Sequence, residues 1–313
     1  MRTFFPILSA WSMTRTERPW PPASMAHIRP DAPAPMIITS FFITLIIYDN
    51  PLLQATINAI LRQMINILGI ASLVLYLSGM LFVPFRKVKT YKVITAAGLL
   101  LHTTALVMRT IAVGHAPMAN RYETLMFFSW AIILTNLVVV FRYNIAKTSL
   151  ITTPIGVILL FWAMRASDAI TPMYPALKTV WFEIHVTSSF AGYALFTLAM
   201  AAAIQFLRAR EADEAATFSD INNKAVLWGF LLFSLSMYSG AIWGYLAWGA
   251  YWMWEPKMLW SFILWFYYAG ILHGRYVKSW RGRAVAYLTI VGFGIVFFTY
   301  LGVSILMQSS HKL

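Results

Sequence analysis

Eight stretches of the chain are nearly uninterrupted runs of apolar residues, each about long enough to cross a bilayer core as a helix. They cover residues 64–85, 93–113, 125–141, 150–164, 182–207, 226–246, 258–276 and 284–306. A spanning helix needs about 20 mostly apolar residues, so 125–141 and 150–164 are the shortest candidates. The connections between them run to under about 20 residues, with no internal repeat and no stretch that reads as a soluble domain. The pattern predicts an all-α polytopic membrane bundle of about eight transmembrane helices over residues 64–313, preceded by an extension over 1–63.

That extension has a different texture. Arg15–Pro35 is Pro-rich and basic, which reads as disordered. Ile37–Tyr48 is apolar but too short to span and reads as interfacial. The opening run is weakly basic and interrupted by Pro6, a poor match to a secretory signal.

Composition sharpens the membrane reading. Of the 313 residues, 60% are hydrophobic and only 11% charged, against about 25% charged in ordinary soluble domains. The net charge of +13 would raise nucleic acid in a soluble protein. Here the cations follow topology instead. Arg86, Lys87, Lys89, Lys92, Arg142, Lys147, Arg208, Arg210, Lys224, Arg275, Lys278, Arg281 and Arg283 follow the first, third, fifth and seventh stretches. The segments after the second, fourth, sixth and eighth stretches hold fewer: Arg121, Arg165, Lys178, Lys257 and Lys312. The positive-inside rule then puts the N-terminal region and the C-terminus outside, with no nucleic-acid role required.

Cysteine is absent, which excludes disulfides, thiolate metal sites and covalent haem attachment to this chain. The strongest metal ligands are six histidines: His27, His102, His115, His185, His273 and His311. His185 and His311 fall at the outer end, His115 in the first external loop, His273 near the inner end, and His102 within the membrane. An ionisable group at that depth is costly and usually functional; the alternative for His102 and His115 is an inert, hydrogen-bonded imidazole.

Six of the 13 tryptophans fall between 243 and 265. Trp243, Trp248, Gly249, Trp252, Trp254, Glu255, Pro256 and Lys257 form the core of an external Trp-rich loop, 243–260. Two readings are open: an interfacial aromatic belt, or a set of π-faces holding a flat apolar ligand with Lys257 at its anionic edge.

The segment WGAYWMWEPK resembles the tryptophan-rich "WWD" signature of haem-handling cytochrome c assembly proteins, more narrowly the CcsA (ResC) type. Four further segments resemble that family in order: GHAPMANRYETLMFFSW at 114–130, EIHVTSSFAGYALF at 183–196, WFYYAGILHGR at 265–275 and TYLGVSILMQSSHKL at 299–313. Two positions depart from its pattern: Glu255 stands for the usual Asp, and Met258 for the usual acidic residue after the Lys.

The resemblance implies a subunit of a System II cytochrome c synthase (haem lyase) that conveys non-covalent haem b across the membrane. His273 would be an axial ligand in the membrane, completed by a CcsB (ResB) type partner. His185 and His311 would be axial ligands outside, under the Trp loop. Arg121, Arg165 and Lys257 are candidate partners for the propionates. Two thiols of an apocytochrome c C-x-x-C-H motif would add across the vinyl groups, so no nucleophile of this chain is needed, only orientation. Alternatives are a CcmC-like haem exporter without attachment activity and an electron-transfer cytochrome b.

Overall fold

The computed structural model describes residues 51–169, 173–274, 276–277, 280 and 282–307. The readings for Arg15–Pro35, Ile37–Tyr48, His27 and His311 lie outside them. The chain divides into two units, Met1–Ile57 and Asn58–Leu313; the second is the helical bundle.

The described residues are helical throughout, joined by turns and short loops. In chain order the helices are α1 (Pro51–Met80), α2 (Val88–Val113), α3 (Arg121–Tyr143), α4 (Ser149–Arg165), α5 (Val180–Arg208), α6 (Ala212–Trp248), α7 (Pro256–Gly274) and α8 (Arg283–Phe297). The last runs on through a π-helical turn, Phe298–Gly302, into α9 (Val303–Leu306). Each predicted apolar stretch coincides with a helix. Among the described residues, six helices are long and apolar enough to cross a membrane, and α8–α9 count as one of them. The other two fall short. α4 has 17 residues, about 26 Å at 1.5 Å per residue, and the Trp, Tyr, Lys and His content of α7 lowers its hydropathy. The chain is thus a polytopic all-α membrane protein.

Local chemistry sets the helix ends nearest the candidate site. Asn120 caps α3 by accepting from the Glu123 N–H at 3.0 Å, and Thr179 caps α5 by accepting from the Phe182 N–H at 3.2 Å. Gly114 and Gly249 close α2 and α6 in the left-handed region, each at φ 74°. Pro256 opens α7, where a missing N–H costs nothing.

α5 is the most enclosed helix, and it lies along α6. The two backbones approach closely where Gly192 and Gly229 meet; a Cβ on Gly192 would stand 3.2 Å from the Gly229 carbonyl oxygen. Small residues at such crossings let membrane helices gain dispersion contact, which replaces the hydrophobic drive that lipid removes. Phe128, Phe190, Tyr193 and Tyr300 then form an aromatic cluster between α3, α5 and the π-turn. At the other end of the bundle Lys147 pairs with Glu214, and Asp220 accepts from Tyr143 and Lys224 at 2.7 Å each.

A histidine seat and an aromatic groove

Five segments converge at the end of the bundle that carries the tryptophans. These are the end of α2, the α2–α3 loop with the start of α3, the loop after α4, the start of α5, and the end of α6. His185 lies in the second turn of α5. Its Nδ1 donates to the Ser236 carbonyl on α6 at 2.8 Å, with the Ser236 hydroxyl at 3.1 Å. Ser189 and Ser236 share a hydrogen bond beside it. The proton thus sits on Nδ1, and Nε2 carries the lone pair. This is the arrangement in which a backbone carbonyl fixes the tautomer of a ligating imidazole. The ring fits because α6 has Gly240 there: a Cβ would stand 2.5 Å from Nδ1.

The opposite side of the seat is Trp243. Its ring stacks on His185 at 5.9 Å and 18°, and its Nε1 donates to the Ala176 carbonyl at 2.8 Å. Trp243 is buried with Met173 and Phe182, and Trp248 meets it edge-on at 4.8 Å. Trp243 and Trp248 therefore belong to the last turns of α6, and the connection itself is only residues 249–255, shorter than the predicted loop 243–260. An apolar face continuous with α6 kept those residues helical.

The remaining tryptophans divide. Trp252 and Trp254 line an open, shallow apolar groove of about 730 Å³ with Leu259, Phe262, Ile263, Phe266 and Tyr267 of α7. Trp252 packs edge-on against Phe262 at 4.6 Å. Trp260 packs on Phe298, and Trp265 donates to the Ser234 hydroxyl at 2.8 Å, so both are helix-packing residues. The connection is pinned by Tyr245 stacked on Tyr251 at 4.4 Å, and by the Met253 N–H against Met258 Sδ at 3.3 Å. Met258, an apparent departure from the signature, thus holds the turn as a weak acceptor. Lys257 is largely buried, and burial lowers its ammonium to about 8, with Glu255 opposing.

The other candidates are scattered. Arg121 opens α3 and is exposed, and Arg165 is exposed at the end of α4. His115 lies in the α2–α3 loop with Nδ1 2.8 Å from the Ala116 carbonyl. His102 is fully buried in mid-bundle. Its Nδ1 meets the Tyr76 hydroxyl at 3.2 Å, and its Nε2 has no hydrogen-bond partner. His273 is exposed near the opposite end of α7, its Nδ1 bonded to the Ala269 carbonyl at 2.8 Å.

Sequence reasoning missed one group altogether. Arg109, near the end of α2, is fully buried. Its Nε and Nη2 donate to Glu123 Oε1 at 3.0 and 2.9 Å, and the same guanidinium reaches the Asp168 and Ala169 carbonyls. The signal was the Glu of the 114–130 segment, but pairing across helices leaves no spacing to read.

Fold and site together define a polytopic membrane protein that holds an imidazole beside a tryptophan-rich turn at one end. Residues 118–311 match the family model described as "Cytochrome C assembly protein", and the chain belongs to that family. It is 28% identical to the cytochrome c biogenesis protein CcsA of Guillardia theta, covering 79% of this chain and 94% of that protein. It is 32% identical to CcsA of Mesostigma viride, covering 63% and 77%, and 29% identical to CcsA of Synechococcus sp. strain CC9902, covering 80% and 96%. Among solved structures, a cytochrome c haem lyase CcmF aligns with a TM-score of 0.59 at 17% identity. The alignment covers 82% of this chain and 47% of CcmF, and it speaks to the fold alone. The chain is a membrane protein of cytochrome c biogenesis.

Proposed function

We propose that this protein conveys haem across the membrane and presents it on the tryptophan-bearing side, taken as the outer, periplasmic face of a bacterial inner membrane, for thioether attachment to apocytochrome c. His185 is the outer axial ligand contributed by the described residues, and His311 is the second outer ligand that the family pattern offers; Trp252, Trp254 and Lys257 contact the flat face and an anionic edge. His273 is a ligand at the inner end, completed by a CcsB-type partner, which its exposed position on α7 suits. The cargo, non-covalent haem b, supplies two vinyl groups, and the apocytochrome supplies both thiols and a replacement ligand. The chain supplies orientation: an Nδ1-anchored imidazole fixes where the iron sits, and aromatic faces fix the plane.

The observation that carries this reading is the His185 seat, a tautomer-fixed imidazole between Gly240 and Trp243 in a chain of this family. The test is co-expression with a CcsB-type partner and an apocytochrome c in cells without other assembly factors. Covalent holocytochrome, its loss in His185→Gly and its partial return with imidazole are expected. Haem release without attachment would favour an exporter. An intact haem complement in His185→Gly would remove that ligand.

A further inference from the structure

We infer that the buried Arg109–Glu123 pair positions His185, locking the loop that leans on α5 so that the imidazole meets haem iron in one pose. The inference rests on the proposed ligation by His185. Arg109 and Glu123 are each 1% exposed, on different helices. Glu123 uses both carboxylate oxygens differently. Oε1 takes two bonds from Arg109 on α2, while Oε2 accepts the Ala119 N–H at 2.9 Å in the α2–α3 loop. The residue before, Met118, is buried, and its Sδ receives the Thr187 hydroxyl at 3.4 Å, two residues beyond His185. Ala119 itself packs in the cluster of Met173, Phe182 and Trp243, and Trp243 is the ring stacked on His185.

Two routes therefore run from the ion pair to the imidazole, one through Met118 and Thr187 and one through Ala119 and Trp243. Arg109 adds a brace from below, with its guanidinium 5.2 Å from the Tyr122 ring centre and bonds to the Asp168 and Ala169 carbonyls of the loop after α4. A charged pair with every contact made is rigid, since each bond is directional and no water competes. If helix association were its whole role, apolar residues of similar volume would serve as well. The Ala119 contact is what an apolar pair loses: it joins the pair to the loop.

The experiment separates positioning from charge compensation with the double variant Arg109→Met/Glu123→Leu, which leaves no unpaired charge, beside Glu123→Gln. Haem per protein is read by absorbance on the full chain purified in detergent with its partner, with and without imidazole. Positioning predicts a loss of haem affinity of about tenfold in both variants, the size seen when groups behind a metal ligand are removed. It also predicts recovery with imidazole, which replaces a misplaced ligand but repairs no misfolded bundle. A double variant that loads haem like the parent would overturn the inference, and so would a loss that imidazole leaves untouched. His185→Gly is the parallel control: if it keeps its haem, the ligation proposal itself fails, whereas its loss beside an unaffected double variant sinks the positioning role alone.

Discussion

Gly240 and His185 occupy one another's space: the imidazole fills the volume that any side chain at position 240 would need. The missing Cβ is what lets α6 offer the Ser236 carbonyl to Nδ1 at hydrogen-bonding distance. Gly240→Ala should push the ring off that carbonyl and lower haem retention by about tenfold, with the variant still inserted and monodisperse. Haem-to-protein ratio and the axial-ligand absorption bands provide the check.

The groove makes a different demand. Trp252 and Trp254 line it, whereas Trp260 and Trp265 pack between helices. Trp252→Ala should remove about 0.5–1.5 kcal/mol of ring contact, a few-fold drop in haem affinity, with little change in thermal stability. Trp265→Ala should show the reverse, costing stability through the Ser234 bond and the Phe230 contact. Haem titration beside thermal unfolding in detergent separates the two.

Lys257 gives the site a pH dependence. Burial brings its pKa to about 8, so the free protein loses this charge as the pH passes from 7 to 9. A carboxylate-bearing ligand at Lys257 binds the protonated form, so affinity should fall across that window and Lys257→Met should flatten the profile. Fold stability runs the other way. Between about 8 and the ordinary lysine value of 10.5, the unfolded chain binds more protons, so this group favours folding increasingly as pH rises.

The two ion pairs at this end should respond unequally. Arg109→Met leaves Glu123 charged and buried, at a cost of about 3–5 kcal/mol. Asp168→Asn breaks a pair with Arg62 whose side chains are 20% and 43% exposed, at about 0–1 kcal/mol. The Arg62 guanidinium holds the Asp168 carboxyl below its usual 3.8, so that small contribution stands above about pH 4 and disappears as pH falls further. Thermal unfolding at pH 7 and pH 3 checks both.

The helices were legible in the sequence because bilayer-facing runs leave little ambiguity. The ends were less so. The segment Ala212–Lys224 is polar, yet it extends α6 as helix, burying Phe218, Ile221 and Asn222. Apolarity marks where a helix meets lipid or core, and here the helix continues past the membrane. His185 and the Trp-rich turn could be found as candidates from residue type and family pattern. Gly240, Ser236 and the carbonyl of Ala176 could not, since backbone acceptors and an absent side chain carry no signature. Arg109 was not legible either, since its partner Glu123 stands on the next helix and no spacing within one helix marks the pair.

The Arg109–Glu123 pair also bears on how the chain enters the bilayer. An Arg costs about 2.5–3.5 kcal/mol to insert at the centre of a spanning helix and less toward its end, and α2 carries Arg109 in its last two turns before α3 has emerged. Only the seven-residue turn 114–120 separates the two helices, so Glu123 is at hand almost as soon as Arg109 is committed. The two helices are therefore best integrated together, as a hairpin whose charges cancel on leaving the translocation channel. With α1 already anchored in the bilayer, α2 of nascent chains halted before α3 should remain accessible to aqueous labelling, and that of chains halted after α3 should not.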